Sequence, residues 1–257
     1  MNQLQNKIAI VTGASRLQGI GAAICRELAD AGYDIFFTFW TEYDKKMPWS
    51  MQNEEPMKLK EELLKNGVKV SYMELDLSNP NAPEQLFMRI EEDLGHPDIL
   101  INNAAYSTNN DYSSITAEEM DKHYLINIRA TTLLSSNFAK SFKKKTGGRI
   151  INLTSGQFQG PMPGELAYAT TKGAVDALTI TLAAELAPLG ITVNAINPGP
   201  TNTGWMTAEI KSELTAKFPF GRIGEPSDVA KTIKFIVSED ACWITGQIIH
   251  SEGGFKR

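Results

Sequence analysis

Two periods of hydrophobic and polar positions alternate along the chain. Short β-rich apolar runs at 7–12, 34–39, 69–75, 98–102, 149–153, 192–196 and 247–250 predict strands. Between them, stretches of helical period at 20–31, 57–65, 84–93, 117–142, 166–187 and 227–237 predict amphipathic helices. Strand–helix alternation requires crossover connections, and these give a parallel sheet covered by helices on both faces. Such sheets bind ligands outside the carboxyl ends of their strands. Gly32, Gly67 and Gly190 stand where three of the helices should stop. The stretch 41–56, with two Pro, two Met and a Trp, is longer than an ordinary turn and reads as a loop insertion.

Composition narrows the class. The 257 residues suit one α/β domain, and 42% hydrophobic against 21% charged residues leaves ample material for a core. A net charge of −5 has the wrong sign for a protein whose partner is a phosphate backbone or an anionic membrane, so neither is expected. No apolar stretch reaches the length of a membrane span, and the polar start before the short run 8–11 lacks a signal-peptide core, so the expected location is cytoplasmic. Cys25 and Cys242 read as two buried reduced thiols. His96, His123 and His250 show no metal-ligand spacing, and no metal is expected.

Three segments carry chemistry. Thr12-Gly13-Ala14-Ser15-Arg16-Leu17-Gln18-Gly19-Ile20-Gly21 joins the first strand to the first helix. Glycines allow a tight turn and close approach to a pyrophosphate, and the helix N-terminus favours its charge; a mere tight turn is the lesser reading of the segment alone. Asp76-Leu77 and Asn102-Asn103-Ala104-Ala105 end the third and fourth strands on the same sheet edge. Ser155 follows the fifth strand, and Tyr168 precedes Lys172 by one helical turn. A nearby ammonium stabilises a phenolate and brings tyrosine toward proton transfer, while a serine hydroxyl at the same mouth would hold a carbonyl or alkoxide oxygen. Tyr-x-x-x-Lys by itself also describes a tyrosine packed on a lysine stem.

With these residues in order, nearly the whole chain resembles the short-chain dehydrogenase/reductases. The shared positions are Thr12, Gly13, Gly19, Gly21, Asn102, Asn103, Ala104, Asn127, Ser155, Tyr168 and Lys172, followed by Asn197-Pro198-Gly199-Pro200-Thr201-Asn202-Thr203 and, near the end, Ile244-Thr245-Gly246-Gln247 and Glu252-Gly253-Gly254. The resemblance implies a single doubly wound Rossmann domain, the strand at 247–250 completing a seven-stranded parallel sheet. It implies a catalytic tetrad in which Tyr168 donates the proton, Ser155 holds the oxygen, Lys172 tunes Tyr168 and binds ribose hydroxyls, and Asn127 positions a water. Cofactor contacts carried over are Gly13, Ser15, Arg16, Gly19, Ile20, Gly21, Asp76, Leu77, Asn103, Ala104, Tyr168, Lys172, Pro198, Gly199, Thr201 and Thr203. The implied reaction is hydride transfer between NADP(H) and a carbonyl or secondary alcohol, the subgroup most alike being 3-oxoacyl-acyl-carrier-protein reductases. Dehydrogenases of sugars, steroids or small alcohols, and a silent dinucleotide-binding regulator, are the alternatives.

The chain departs from the family pattern twice. Five residues separate Gly13 from Gly19 where three are usual, and Ala105 replaces a glycine. The long spacing is shared with the enoyl-reductase branch, whose Tyr and Lys usually stand six apart; the four-residue step here points away from it. NADPH is expected over NADH because the second strand ends Phe39-Trp40-Thr41 without an acid until Glu42, while Arg16, with Lys45 and Lys46 behind it, offers a phosphate partner. The segment 201–220, holding Trp205, Met206 and Phe218, is expected to act as a substrate lid. Trp40, Trp49, Trp205 and Trp243 read as core or lid packing, Trp205 also as a pocket wall. Excess apolar positions on 117–142 and 166–187, together with the resemblance, predict a homotetramer acting on a small molecule or an acyl thioester.

Overall fold

Strands form where both sides of the backbone carry apolar residues, because each face of this sheet is covered. In the computed structural model, which describes residues 6–47 and 52–257, the strands are β1 (Ile8–Val11), β2 (Asp34–Phe39), β3 (Val70–Glu74), β4 (Ile99–Asn102), β5 (Gly148–Leu153), β6 (Ile191–Asn197) and β7 (Ile248–His250). All pair in parallel in the order β3-β2-β1-β4-β5-β6-β7. The helices are α1 (Ile20–Asp30), α2 (Thr41–Asp44), α3 (Glu55–Leu64), α4 (Ala82–Asp93), α5 (Ala117–His123), α6 (Thr131–Ser141), α7 (Leu166–Leu186), α8 (Ala208–Thr215) and α9 (Pro226–Val237). Odd and even strand positions feed different cores. Ala9, Val11, Ile35, Phe37 and Ile101 pack with α1, α3 and α9, whereas Ile8, Ile10, Phe36, Leu100 and Ile150 pack with α4, α6 and α7. Chain order runs outward from β1 to β3 and returns to β4 on the other side, so the loops after β1 and β4 part at a switch point.

The doubly wound seven-stranded sheet matches the expectation, and Gly32, Gly67 and Gly190 stop their helices with φ of 84°, 75° and 74°. Several details differ. The stretch 117–142 is not one regular helix: a π-helical turn, Tyr124–Ala130, separates α5 from α6. The insertion at 41–56 contains α2 and the start of α3; its central residues 48–51, Trp49 among them, lie outside the described residues, as do residues 1–5. Cys25 is buried, but Cys242 is exposed, because it lies in the turn beyond α9 rather than on a core face. Trp243 beside it is 96% exposed, packing neither core nor lid. Among the described residues, no helix is long and apolar enough to cross a membrane.

Candidate active site

The loop after β1 is held by the end of β4. The Thr12 hydroxyl accepts hydrogen bonds from the Asn103 and Ala104 amides, both at 3.1 Å, and the Asn103 amide group donates to the Thr12 and Gly13 carbonyls at 2.8 and 2.9 Å. Gly13, at φ 73°, lies so close to Ala104 that a Cβ there would stand 2.7 Å from its Cα. A Cβ on Gly21 would stand 2.6 Å from the Gly13 carbonyl oxygen. These glycines are therefore fixed by backbone packing. The two extra residues, Leu17 and Gln18, are anchored outward: the Leu17 amide donates to Glu55 at 2.7 Å, and Gln18 sits against Gly204. The helix α1 starts without a side-chain cap and without an acid in its first turn, leaving an electropositive end facing the loop.

A cleft of about 620 Å³ opens over this loop. Of the expected cofactor contacts, Gly13, Ser15, Arg16, Gly19, Ile20, Gly21, Asp76, Leu77, Asn103, Ala104 and Thr203 line it; Tyr168, Lys172, Pro198, Gly199 and Thr201 do not. Lys46 and Glu42 also line it, while Lys45 turns to Glu42 at 3.4 Å. Arg16 reaches Asp44 at 3.4 Å and donates to the Thr203 carbonyl at 2.6 Å. Burial lowers its pKa, opposed by Asp44 and Glu55. Gly199 (φ 62°) turns over Glu252, where a Cβ would stand 2.5 Å from the Glu252 Cβ.

The four expected catalytic residues gather beside the cleft. Ser155 stands in the turn after β5, its Oγ 3.9 Å from Met162 Sδ and its hydroxyl near the Tyr168 phenol. Lys172 stands one turn along α7, its Nζ 5.5 Å from the Tyr168 ring and donating to the Leu153 carbonyl at 2.7 Å. Burial pushes the Tyr168 phenol up, with Glu165 and Tyr43 adding to the rise and the nearby Ser155 hydroxyl opposing it. Burial brings Lys172 down to about 8, against the pull of Asp176. For Tyr168, burial outweighs the lowering expected from a neighbouring lysine. Both groups are desolvated, and desolvation disfavours the charged form of each.

Asn127 lies in the π turn. Its side chain donates to the Tyr106 carbonyl at 2.9 Å and to Thr171 at 3.0 Å, and accepts from the Tyr106 amide at 2.8 Å. It thus ties the cleft wall to α7. Sequence reasoning did not single out Tyr43 and Tyr106, whose rings meet at 5.5 Å in the cleft wall. The Tyr43 hydroxyl accepts from the Ser107 amide at 3.3 Å, and burial raises its pKa to about 12. Only tertiary packing brings them together, so no local signal marked them. His123 is buried and structurally satisfied, with Nδ1 2.8 Å from the Glu119 carbonyl.

A doubly wound sheet with a glycine loop at its switch point and a Ser-Tyr-Lys cluster beside it defines a dinucleotide-fold oxidoreductase. Comparison with known proteins agrees: a family model described as "Enoyl-(Acyl carrier protein) reductase" matches residues 13–256, and the chain belongs to the short-chain dehydrogenase/reductase family. "Uncharacterized oxidoreductase YjdA" of Bacillus subtilis is 52% identical over 259 residues, covering 100% of both chains. The 3-oxoacyl-acyl-carrier-protein reductase FabG of Aquifex aeolicus is 34% identical, covering 98% of each. A solved structure of a blue fluorescent protein from a metagenomic library in complex with NADPH superimposes with a TM-score of 0.87 at 32% identity, covering 99% of this chain and 100% of that one.

Proposed function

We propose that the protein transfers hydride between NADP(H) and a carbonyl or the matching secondary alcohol. The observation that carries this is the grouping of Ser155, Tyr168 and Lys172, with the lysine Nζ 5.5 Å from the phenol ring, beside a glycine-walled cleft. The uncapped, acid-free start of α1 and the Gly13 and Gly21 backbones suit a pyrophosphate. When bound, the nicotinamide supplies hydride. Ser155 holds the substrate oxygen, Tyr168 gives that oxygen its proton, and Lys172 stabilises the phenolate that remains. Asn127 positions a water that returns the proton. The one-turn Tyr–Lys step favours carbonyl over enoyl chemistry.

Support for NADPH over NADH is the absence of an acid at the end of β2, with Arg16 in the cleft wall, and the NADPH bound by the structural relative. The proposed substrates are small ketones or 3-oxoacyl thioesters, the latter by likeness to FabG, which would place the protein in fatty acid biosynthesis in the cytoplasm. A homotetramer is the proposed assembly, and 201–220 the proposed lid. The test is NADPH oxidation with diacetyl, hexanal, a steroid ketone and acetoacetyl and crotonyl thioesters, repeated with NADH. Turnover of a carbonyl substrate, lost in Tyr168→Phe with cofactor affinity within about three-fold, is expected. Wild-type rates in Tyr168→Phe would overturn the assignment, as would turnover of the crotonyl thioester alone. Cofactor-dependent thermal stabilisation without turnover of any substrate would favour a regulatory protein. A higher kcat/KM with NADH, or unchanged selectivity in Arg16→Ala, would overturn the cofactor preference.

A further inference from the structure

Behind the Ser155–Tyr168–Lys172 cluster lies a buried carboxylate that the proposed reaction does not use. Asp176 is only 2% exposed and follows Lys172 by four residues on α7, on the same helix face. Its Oδ2 accepts a hydrogen bond of 2.5 Å from Gln157, in the turn that carries Ser155. The same Gln157 amide group reaches the Thr154 hydroxyl at 3.3 Å, and Thr154 in turn reaches the Lys172 carbonyl at 3.4 Å. Asp176 Oδ1 and Gln157 Oε1 are buried without a hydrogen-bond partner among the described residues. Orphaned polar atoms of this kind are rare and costly, so a structural role alone is a poor reason to keep a charge here.

We propose that Asp176 is a positioning residue for the reaction: through Gln157 its carboxylate fixes the turn that carries Ser155, and across one turn of α7 its charge favours the Lys172 ammonium. This rests on the reading of Ser155, Tyr168 and Lys172 given above. The groups facing Asp176 are Lys172 on its own helix, His250 on β7, and the polar Thr154 and Gln157 after β5. Burial raises Asp176 and lowers Lys172, and their mutual attraction opposes both shifts. Replacing the carboxylate by an amide removes the attraction and leaves the burial, so Lys172 should give up its proton at lower pH.

The test titrates Lys172 by nuclear magnetic resonance on the full chain carrying isotope-labelled lysine, a readout that needs no substrate. The Lys172 resonance, identified by its absence in Lys172→Met, should titrate near pH 8 in the parent and at least roughly half a unit lower in Asp176→Asn, with Asp176→Glu restoring much of the difference. An unmoved titration overturns the proposal, whatever the rate does. NADPH-dependent reduction of diacetyl and of an acetoacetyl thioester should fall about ten-fold in Asp176→Asn, with a falling alkaline limb displaced to lower pH; an unchanged rate and limb also overturn it. Gln157→Leu, in a part-exposed turn, covers the event that Asp176→Asn does not fold. It keeps the carboxylate, and a lower kcat with Lys172 titrating as in the parent supports the tether, while parent kcat overturns it. Tyr168→Phe run alongside separates the two ideas. If it keeps full rate, the reading of the site fails, while the Lys172 titration still judges Asp176.

Discussion

A buried ammonium is a cost that the fold carries for the sake of the site. Lys172, 3% exposed, has one hydrogen-bond acceptor, the Leu153 carbonyl, and a pKa brought down by burial to about 8. Because the folded protein binds this proton less tightly than the unfolded chain, the lysine destabilises the fold below about pH 8, and stability recovers as pH rises from 8 toward the unfolded value. The difference from an ordinary lysine corresponds to on the order of 3 kcal/mol, part of which returns when the Leu153 carbonyl loses its donor. Lys172→Met is therefore expected to abolish turnover and weaken NADPH binding while raising the melting temperature at pH 7, with a gain that shrinks by pH 10. A lower melting temperature at pH 7 would show that the ammonium stabilises the fold. Tyr168 differs, because burial raises its phenol and leaves it neutral at pH 7, where it carries no such cost. Spacing put these side chains on one helix face, but it did not show that both are desolvated.

At the scale of elements, the segment 201–220 is the proposed lid. It is not a bare loop: Thr207 caps α8 by accepting from the Ile210 amide at 3.3 Å. Met206, Phe218 and Ile223 form a small core of their own with Ile210, Leu214 and Phe255. Its base is tied to the glycine loop through the Arg16 bond to the Thr203 carbonyl at 2.6 Å and the approach of Gln18 to Gly204. A ligand that engages Arg16 therefore acts on the segment directly. Hydrogen exchange across 201–220 is expected to slow with NADPH and further with a ketone added; exchange that ignores both would remove the lid. The strands were legible because two-sided burial writes continuous apolar runs, and the glycine stops because positive φ selects glycine. The π turn, α8 and the placement of Tyr43 against Tyr106 were not legible. Each depends on partners distant in sequence, such as the Asn127 bonds to Tyr106 and Thr171 that accompany the π turn. The same holds for Asp176, an unremarkable helix position until Gln157 is folded onto it.

Across the whole molecule, several large apolar side chains stay uncovered. Leu166 and Ile180 of α7 are 45% and 56% exposed, and Tyr124 in the π turn is 47% exposed, although α7 already supplies Ala183 and Leu186 to the core. Two more are Phe235 on α9 at 51% and Trp243 at 96%, and β7 is an edge strand with no further partner strand among the described residues. Contiguous exposed apolar patches mark association surfaces, and the proposed tetramer would cover these side chains. Two isologous contacts on different sides of one subunit generate two perpendicular twofold axes, and hence a tetramer of dihedral symmetry. Light scattering at micromolar concentration is expected to give about four times the 28.3 kDa chain mass. Ile180→Glu and Trp243→Glu should each reduce the tetramer to a dimer, and the double variant should be monomeric, because each charge enters only one of the two interfaces. A monomer in the parent protein would refute the assembly. A tetramer unaffected by either charge would show that the subunits meet through other surfaces.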